Sequence, residues 1–173
     1  MKAHNVGVLA IDLGTQLGIS QGVFDINKSW NKETMLPLTD ISHFELPTNT
    51  YLTALKSLVR ERMYILAPDT KKDELVIVVP QPTFARKIIA RHWKMIGVIE
   101  QLAEEHGSTT VFEVLDNNVR KEVIGSISYE SRKTKYQRRM LRKQLVRLRY
   151  KEAKTDDEAD SLMFLEWYLT SKS

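Results

Sequence analysis

Three aspartates have the residue type and spacing to do chemistry. Asp12 closes an apolar run, residues 6–11 (VGVLAI). A carboxylate there is costly unless donors or charge compensate it. The C-terminal ends of strands in α/β sheets are also where ligands usually sit. The blander role for Asp12 is to cap the turn Asp12-Leu13-Gly14-Thr15 through its side chain. Gly14 and Gly18 keep the neighbouring backbone thin. Asp157 and Asp160 lie in residues 156–160 (DDEAD) and, three apart, share one face of a helix. Acids in a first helical turn also favour the helix dipole without any ligand. Asp160, however, lies deeper than the cap and directly precedes an apolar stripe. If Asp12, Asp157 and Asp160 converge, like charges about 4 Å apart repel by roughly 4 kcal/mol at an effective dielectric of 20. Hard divalent cations relieve that repulsion, and Mg²⁺ prefers carboxylate oxygens plus waters. Two such ions about 4 Å apart activate a water and stabilise the leaving oxygen of a phosphodiester.

A cationic surface is the second requirement of such chemistry. The 173 residues carry a net charge of +4, unevenly spread. Residues 131–151 hold ten cations, among them Arg132, Lys133, Lys135, Arg138, Arg139, Arg142 and Lys143, and no acid. The remainder of the chain is therefore at −6. One cationic segment on an acidic body fits a polyanion, most simply nucleic acid, against the alternative of a solvated helix face. The chain has no cysteine, which excludes disulfides, zinc ribbons and thiol nucleophiles and fits a reducing compartment. No run of 18 apolar residues exists, so no membrane span is expected, and the N-terminus lacks a signal-peptide layout. His4, His43, His92 and His106 have no metal-ligand spacing and read as surface or packing residues.

The elements that must position these residues follow from periodicity. Residues 6–11 and 75–79 (LVIVV) are all-apolar and read as buried strands, the second halted by Pro80. Residues 18–24, 41–46 and 110–114 read as further strands, and 25–40 as a long hairpin loop. Thr48 is placed to cap a helix running to about Leu66. A long helix over 83–106 shows a stripe at Ile89, Trp93, Ile96, Ile99, Leu102 and Ala103, and Gly107 ends it. Asp116 or Asn117 caps a short helix to Ile124. The basic segment is a helix, 132–151, with Tyr136, Met140, Leu141, Leu145 and Leu148 inward. Thr155 caps a last helix, 155–170, which carries the acidic pair. The order β-β-β-α-β-α-β-α-α-α predicts an α/β fold with a five-stranded mixed sheet flanked by helices, in a single domain over 1–173.

With these residues in place, the chain resembles the RuvC-type Holliday junction resolvases of the ribonuclease-H-like superfamily, particularly the compact versions of bacteriophages. The matching stretches are VGVLAIDLGTQLGIS, LVIVVPQPTFARK, VFEVLDNNVRKEVIGS and TDDEADSLMFLEWYL, spread from one end of the chain to the other. The resemblance implies a two-metal nuclease, with Mg²⁺ or in its place Mn²⁺, acting as a homodimer on four-way DNA junctions. It implies no small-molecule cofactor and a cytoplasmic location, that of the host bacterium for a phage protein. The family's first-strand aspartate falls on Asp12 and its closing acids on Asp157 and Asp160. Its basic residue after the fifth strand falls on Arg120 or Lys121. One position departs: where the family has a glutamate after the fourth strand, this chain has Gln81. A neutral amide offers a metal one oxygen but no charge, so metal binding and chemistry should both weaken. Natural divergence and deliberate inactivation to trap substrate both fit, and the intact remainder of the site favours the second.

Phe84 is either a helix-start aromatic in the core or a wedge that stacks on an unpaired base, worth about 1–3 kcal/mol. The resemblance supports the wedge. Arg86 and Lys87, with Arg91 further along the helix, would then contact phosphates, which position DNA without reading its sequence; Lys94 is a further cation of that helix. Gly97 costs about 1 kcal/mol against Ala within that helix but permits close helix contact, and a two-fold dimer would supply two sites for paired nicks. Two rivals remain. Asp12-Leu13-Gly14-Thr15 with Gly18 also looks like the phosphate loop of the actin, chaperone and sugar-kinase superfamily, though no second nucleotide loop accompanies it. A non-catalytic branched-DNA-binding module is the other, made plausible by Gln81.

Overall fold

The computed structural model describes residues 2–82, 86–125 and 134–171, with the backbone alone for 86–88. Strands β1 (Asn5–Asp12), β2 (Gln16–Asp25), β3 (Asp40–Glu45), β4 (Glu74–Pro80) and β5 (Thr109–Val114) form one sheet in the order β3-β2-β1-β4-β5. β1, β2 and β3 pair antiparallel, and β4 and β5 add in parallel. This is the mixed five-stranded α/β arrangement expected. The helices are α1 (Lys32–Met35), α2 (Tyr51–Leu66), α3 (Arg86–His106), α4 (Asp116–Ile124), α5 (Lys135–Arg149) and α6 (Asp156–Ser171).

Strand alternation builds two cores. Val6, Val8 and Ala10 of β1 face one cluster, with Val119 of α4, Val146 of α5 and Leu162 and Leu165 of α6. Leu9 and Ile11 face the other, with Leu55, Val59 and Met63 of α2 and Met95, Ile96 and Ile99 of α3. Each such aliphatic side chain contributes about 1.5–3 kcal/mol when fully buried. Asp12 continues the even-numbered series of β1, so the two-residue period aims it at the face that α6 covers.

Several local expectations need correction. The 25–40 connection contains α1 and a 3₁₀ turn, Leu36–Leu38, because Asn31 and Thr34 form a reciprocal capping box. Helix α2 opens two residues later than Thr48 implied, with Thr50 at its N-cap. In α3, Trp93 is half-exposed and Met95 is buried in its stead. At about 100° per residue, Trp93 lies roughly a third of a turn from the centre of the stripe formed by Ile96, Ile99 and Leu102. Gly107 does end α3, with φ +86°, a left-handed conformation that glycine adopts without a Cβ clash. Helix α5 is shorter than 132–151. Its Tyr136, Met140 and Leu148, expected inward, are exposed, while Val146 is buried and Leu141 and Leu145 are half-buried. Polar ties rather than an apolar stripe hold this helix. Arg149 Nε donates to Glu166 Oε2 at 3.0 Å, Tyr150 Oη also donates to Glu166, and Lys143 and Arg147 pair with Asp156 at 3.6 and 3.8 Å. Among the described residues, no helix is long and apolar enough to cross a membrane.

Candidate active site

The acidic pair is positioned by a cap and by missing side chains. Thr155 Oγ1 accepts from Glu158 N at 3.2 Å, and Glu158 Oε2 accepts from Thr155 N at 3.3 Å, closing a capping box at the start of α6. Glu158 is thereby committed to the cap, and Asp156 to α5. Asp157 and Asp160 remain on the face turned to the sheet. Opposite them, Gly18 pairs with Asp12 across β1 and β2. A Cβ at Gly18 would lie 1.8 Å from the Asp157 carbonyl oxygen, so only glycine lets α6 come this close. Two residues on, Ser20 Oγ and Ser161 Oγ, both buried, bond at 2.6 Å and fix the helix against β2.

The electrostatics show which acids meet. Burial, then the charges of Asp160, Asp157 and Asp116, hold the Asp12 carboxyl well above the usual carboxylate range. Burial and the charge of Asp116, partly offset by Arg120, push Asp160 up to about 7. Asp12, Asp157 and Asp160 therefore lie within range of one another's charge, with Asp12 at the C-terminal end of β1. Asp116 joins them as a fourth acid. It was expected only as a cap, but as the first residue of α4 it follows β5 directly and stands at the same edge. Burial raises its pKa against the pull of Arg120 and Arg142. The signal available in the sequence was its position two residues beyond the end of a parallel strand. His43, expected to be a surface or packing residue, pairs in register with Gly18 and places Nε2 3.7 Å from Asp157 Oδ2 and 3.1 Å from Gln16 Oε1.

The other expected residues are placed as follows. Arg120 is only 13% exposed and lies 3.0 Å from Asp116 and 3.8 Å from Asp160, whereas Lys121 is exposed. Between the two alternatives for the basic residue, Arg120 is the one at the cluster. Gln81 stands one residue past β4 and donates its N–H to Val114 O at 2.7 Å, which keeps it at the same edge. Arg91 lays its guanidinium 4.0 Å above the Tyr51 ring, and its Nε and Nη2 are buried without a hydrogen-bond partner. Lys135 and Arg139 are exposed and Arg138 is half-buried. Phe84, Arg132 and Lys133 lie outside the described residues, as do the side chains of Arg86 and Lys87.

The donor set fits a hard divalent cation, since the candidate ligands are the carboxylate oxygens of Asp12, Asp157 and Asp160 and the amide oxygen of Gln81, and the repulsion among the acids calls for positive charge. Among the described residues no three acidic or histidine side chains are arranged as they stand to hold a metal ion. The Arg120 guanidinium brings positive charge to the cluster, and Arg142 acts on Asp116 from further off. No family model matches the chain, and no curated protein matches its sequence. Solved structures do resemble it. The Thermus thermophilus RuvC structure superposes with a TM-score of 0.62 at 15% identity, covering 95% of this chain and 94% of that one. T. thermophilus RuvC in complex with a Holliday junction substrate gives 0.60 at 16%, covering 95% and 93%. The chain therefore has the RuvC-type, ribonuclease-H-like fold, with Asp12 at the end of its first strand.

Proposed function

We propose that this protein is a divalent-metal-dependent endonuclease that resolves Holliday junctions and related branched DNA by paired phosphodiester cleavage. The observation that carries the reading is the meeting of Asp12, Asp157 and Asp160 on a RuvC-type fold. Asp12, Asp157 and Asp160 would hold two Mg²⁺ or Mn²⁺ ions, with Gln81 adding a neutral amide oxygen. Bound there, the ions would supply an activated water and stabilise the leaving oxygen of the scissile phosphodiester. The chain's own residues orient and exclude. Gly18 and the Ser20–Ser161 bond hold α6 at its distance, and Arg120 adds positive charge beside the acids. Arg91, stacked on Tyr51, would add positive charge on the DNA-facing side of α3. Phe84, Arg86 and Lys87, at the start of α3, would meet the junction centre. The exposed cations Lys135 and Arg139 would reach the arms, together with Arg138, Arg132 and Lys133.

A homodimer would supply two sites for two nicks. Half-exposed Trp93 and Gly97, which faces open space one helical turn further on, offer the outer surface of α3 for it. The fold likeness to a RuvC in complex with a Holliday junction supports branched DNA as substrate. The test is Mg²⁺-dependent cutting of a four-way junction by the protein and by Gln81→Glu. The substitution adds an anion beside Asp12, Asp157 and Asp160 and is expected to raise the rate; equal or lower rates count against the reading. A second reading, a non-catalytic junction-binding module, is favoured by Gln81 alone. It requires tight binding with no cleavage even after Gln81→Glu.

A further inference from the structure

Asp116 and Arg120 form a pair whose surroundings are unusual for helix neighbours. Both carboxylate oxygens of Asp116 accept from Arg120 Nη2, at 3.1 and 3.0 Å. The same nitrogen stands 3.8 Å from Asp160 Oδ1, too long for a hydrogen bond but within ion-pair range. A pair spaced i,i+4 on an exposed helix face would leave the rest of the guanidinium in water. Here the arginine is only 13% exposed, and its Nε is buried with no hydrogen-bond partner. A fixed cation thus sits inside a group of four acids, tied to one and within reach of a second, which in turn repels Asp12.

We propose that Arg120 is the resident counter-ion of the metal-free cluster and that Asp116 is its holding point, a positioning residue. When a divalent cation takes Asp160, Arg120 gives up that carboxylate and remains on Asp116. The proposal rests on the reading that the cluster binds divalent cations. Arg120 and the incoming cation then compete for Asp160, and Asp116 sets the terms by how firmly it holds the guanidinium back. The two partners of one ion pair therefore act on metal affinity in opposite directions. Removing Arg120 frees Asp160, and affinity rises. Neutralising Asp116 releases Arg120 fully onto Asp160, and affinity falls.

The experiment is a calorimetric Mn²⁺ titration of the DNA-free protein, with thermal melts in the presence and absence of the ion. Arg120→Gln is expected to tighten Mn²⁺ by about tenfold and to lower the metal-free melting midpoint. Asp116→Asn is expected to weaken Mn²⁺ by about tenfold in the parent but by less than about threefold when Arg120→Gln is also present. Equal weakening in both backgrounds would make Asp116 a direct ligand and overturn the proposal. So would unchanged or weaker binding by Arg120→Gln. If the parent binds no Mn²⁺ at all, the metal-site reading itself fails, and the metal-free melts alone judge the counter-ion. In that case a lowered midpoint for Arg120→Gln, restored by adding Asp160→Asn, sustains that role. An unchanged midpoint ends it. The same restoring substitution serves if Arg120→Gln alone does not fold.

Discussion

Substituting alanine for Gly18 forces a methyl group into the space between β2 and α6. An ideal Cβ there lies 1.8 Å from the carbonyl oxygen of Asp157, 2.0 Å from its carbonyl carbon and 2.5 Å from Glu158 N. All three are backbone atoms, so no rotamer change relieves the clash. Opening the nearest contact to the 3.0 Å at which real Cβ contacts begin moves the start of α6 by about 1.2 Å or more. That turn carries Asp157 and Asp160, while Asp12 stays on β1. A misplacement of about 1 Å in a catalytic constellation costs roughly 100-fold in rate. Overpacking of this kind costs about 1–3 kcal/mol in stability. For a chain of this size that is a fall of about 3–10 °C in Tm. The assay pairs a thermal melt with Mn²⁺ titration and junction cleavage, all in the Gln81→Glu background where the rate is expected to be highest. Gly18→Ala should melt cooperatively within that range, bind Mn²⁺ more weakly and cleave about 100-fold more slowly. Ser20→Ala, which loses the bond to Ser161 but puts no atom between the two backbones, should cost only about 1 kcal/mol and retain cleavage. If Gly18→Ala bound and cut as its parent does, the close approach of β2 and α6 would have no part in building the site.

Three more predictions follow from the charges. Burial and the charge of Asp116 push Asp160 up to about 7, well above the usual carboxylate range, so the folded chain holds this proton more tightly than the unfolded one. The metal-free protein should then lose stability as pH rises from about 4 through about 7, and Asp12, whose carboxyl is also held high, adds to the loss. Denaturant midpoints across this range should fall in the parent and stay flatter in Asp160→Asn or with added Mg²⁺. Glu166→Gln removes the buried charge that both Arg149 and Tyr150 bond, and should destabilise the chain by about 2–3 kcal/mol in urea unfolding. Replacing exposed Lys135 and Arg139 by Gln should weaken junction binding and reduce the slope of log affinity against log salt by about 1–2.

The strands and the first aspartate were legible because β1 is buried on both faces. An unbroken apolar run ending in Asp12 leaves that carboxylate few places to go, and the parity of Val6, Val8 and Ala10 decides which face it takes. The acidic pair on α6 was legible from its spacing of three. What determines the distance between them was not. Gly18 read as a thin backbone, but its precise opposition to Asp157 depends on β2 pairing with β1 in one register. Asp116 was missed because an acid at the first position of a helix is fully explained by the helix dipole. Only the parallel placement of β5 brings that helix start to the cluster. His43 was missed for a similar reason: β3 lies two strands from β1 in the sheet, and its chemistry appears only once α6 lies across it. Helix α5 misled for a different reason. Its apolar residues suggested a packed stripe, but Glu166 and Asp156 of α6 tether it through cations, leaving Tyr136, Met140 and Leu148 outside.

The central claim is that Asp12, Asp157 and Asp160 share divalent ions. A crystal structure of the protein grown with Mn²⁺, with anomalous scattering to locate the metal, tests it most directly. Metal peaks are expected about 2.1 Å from carboxylate oxygens of Asp12 and of Asp157 or Asp160, with Arg120 remaining on Asp116. Metal bound elsewhere, or the carboxylates of Asp12 and Asp160 more than about 12 Å apart, would contradict it.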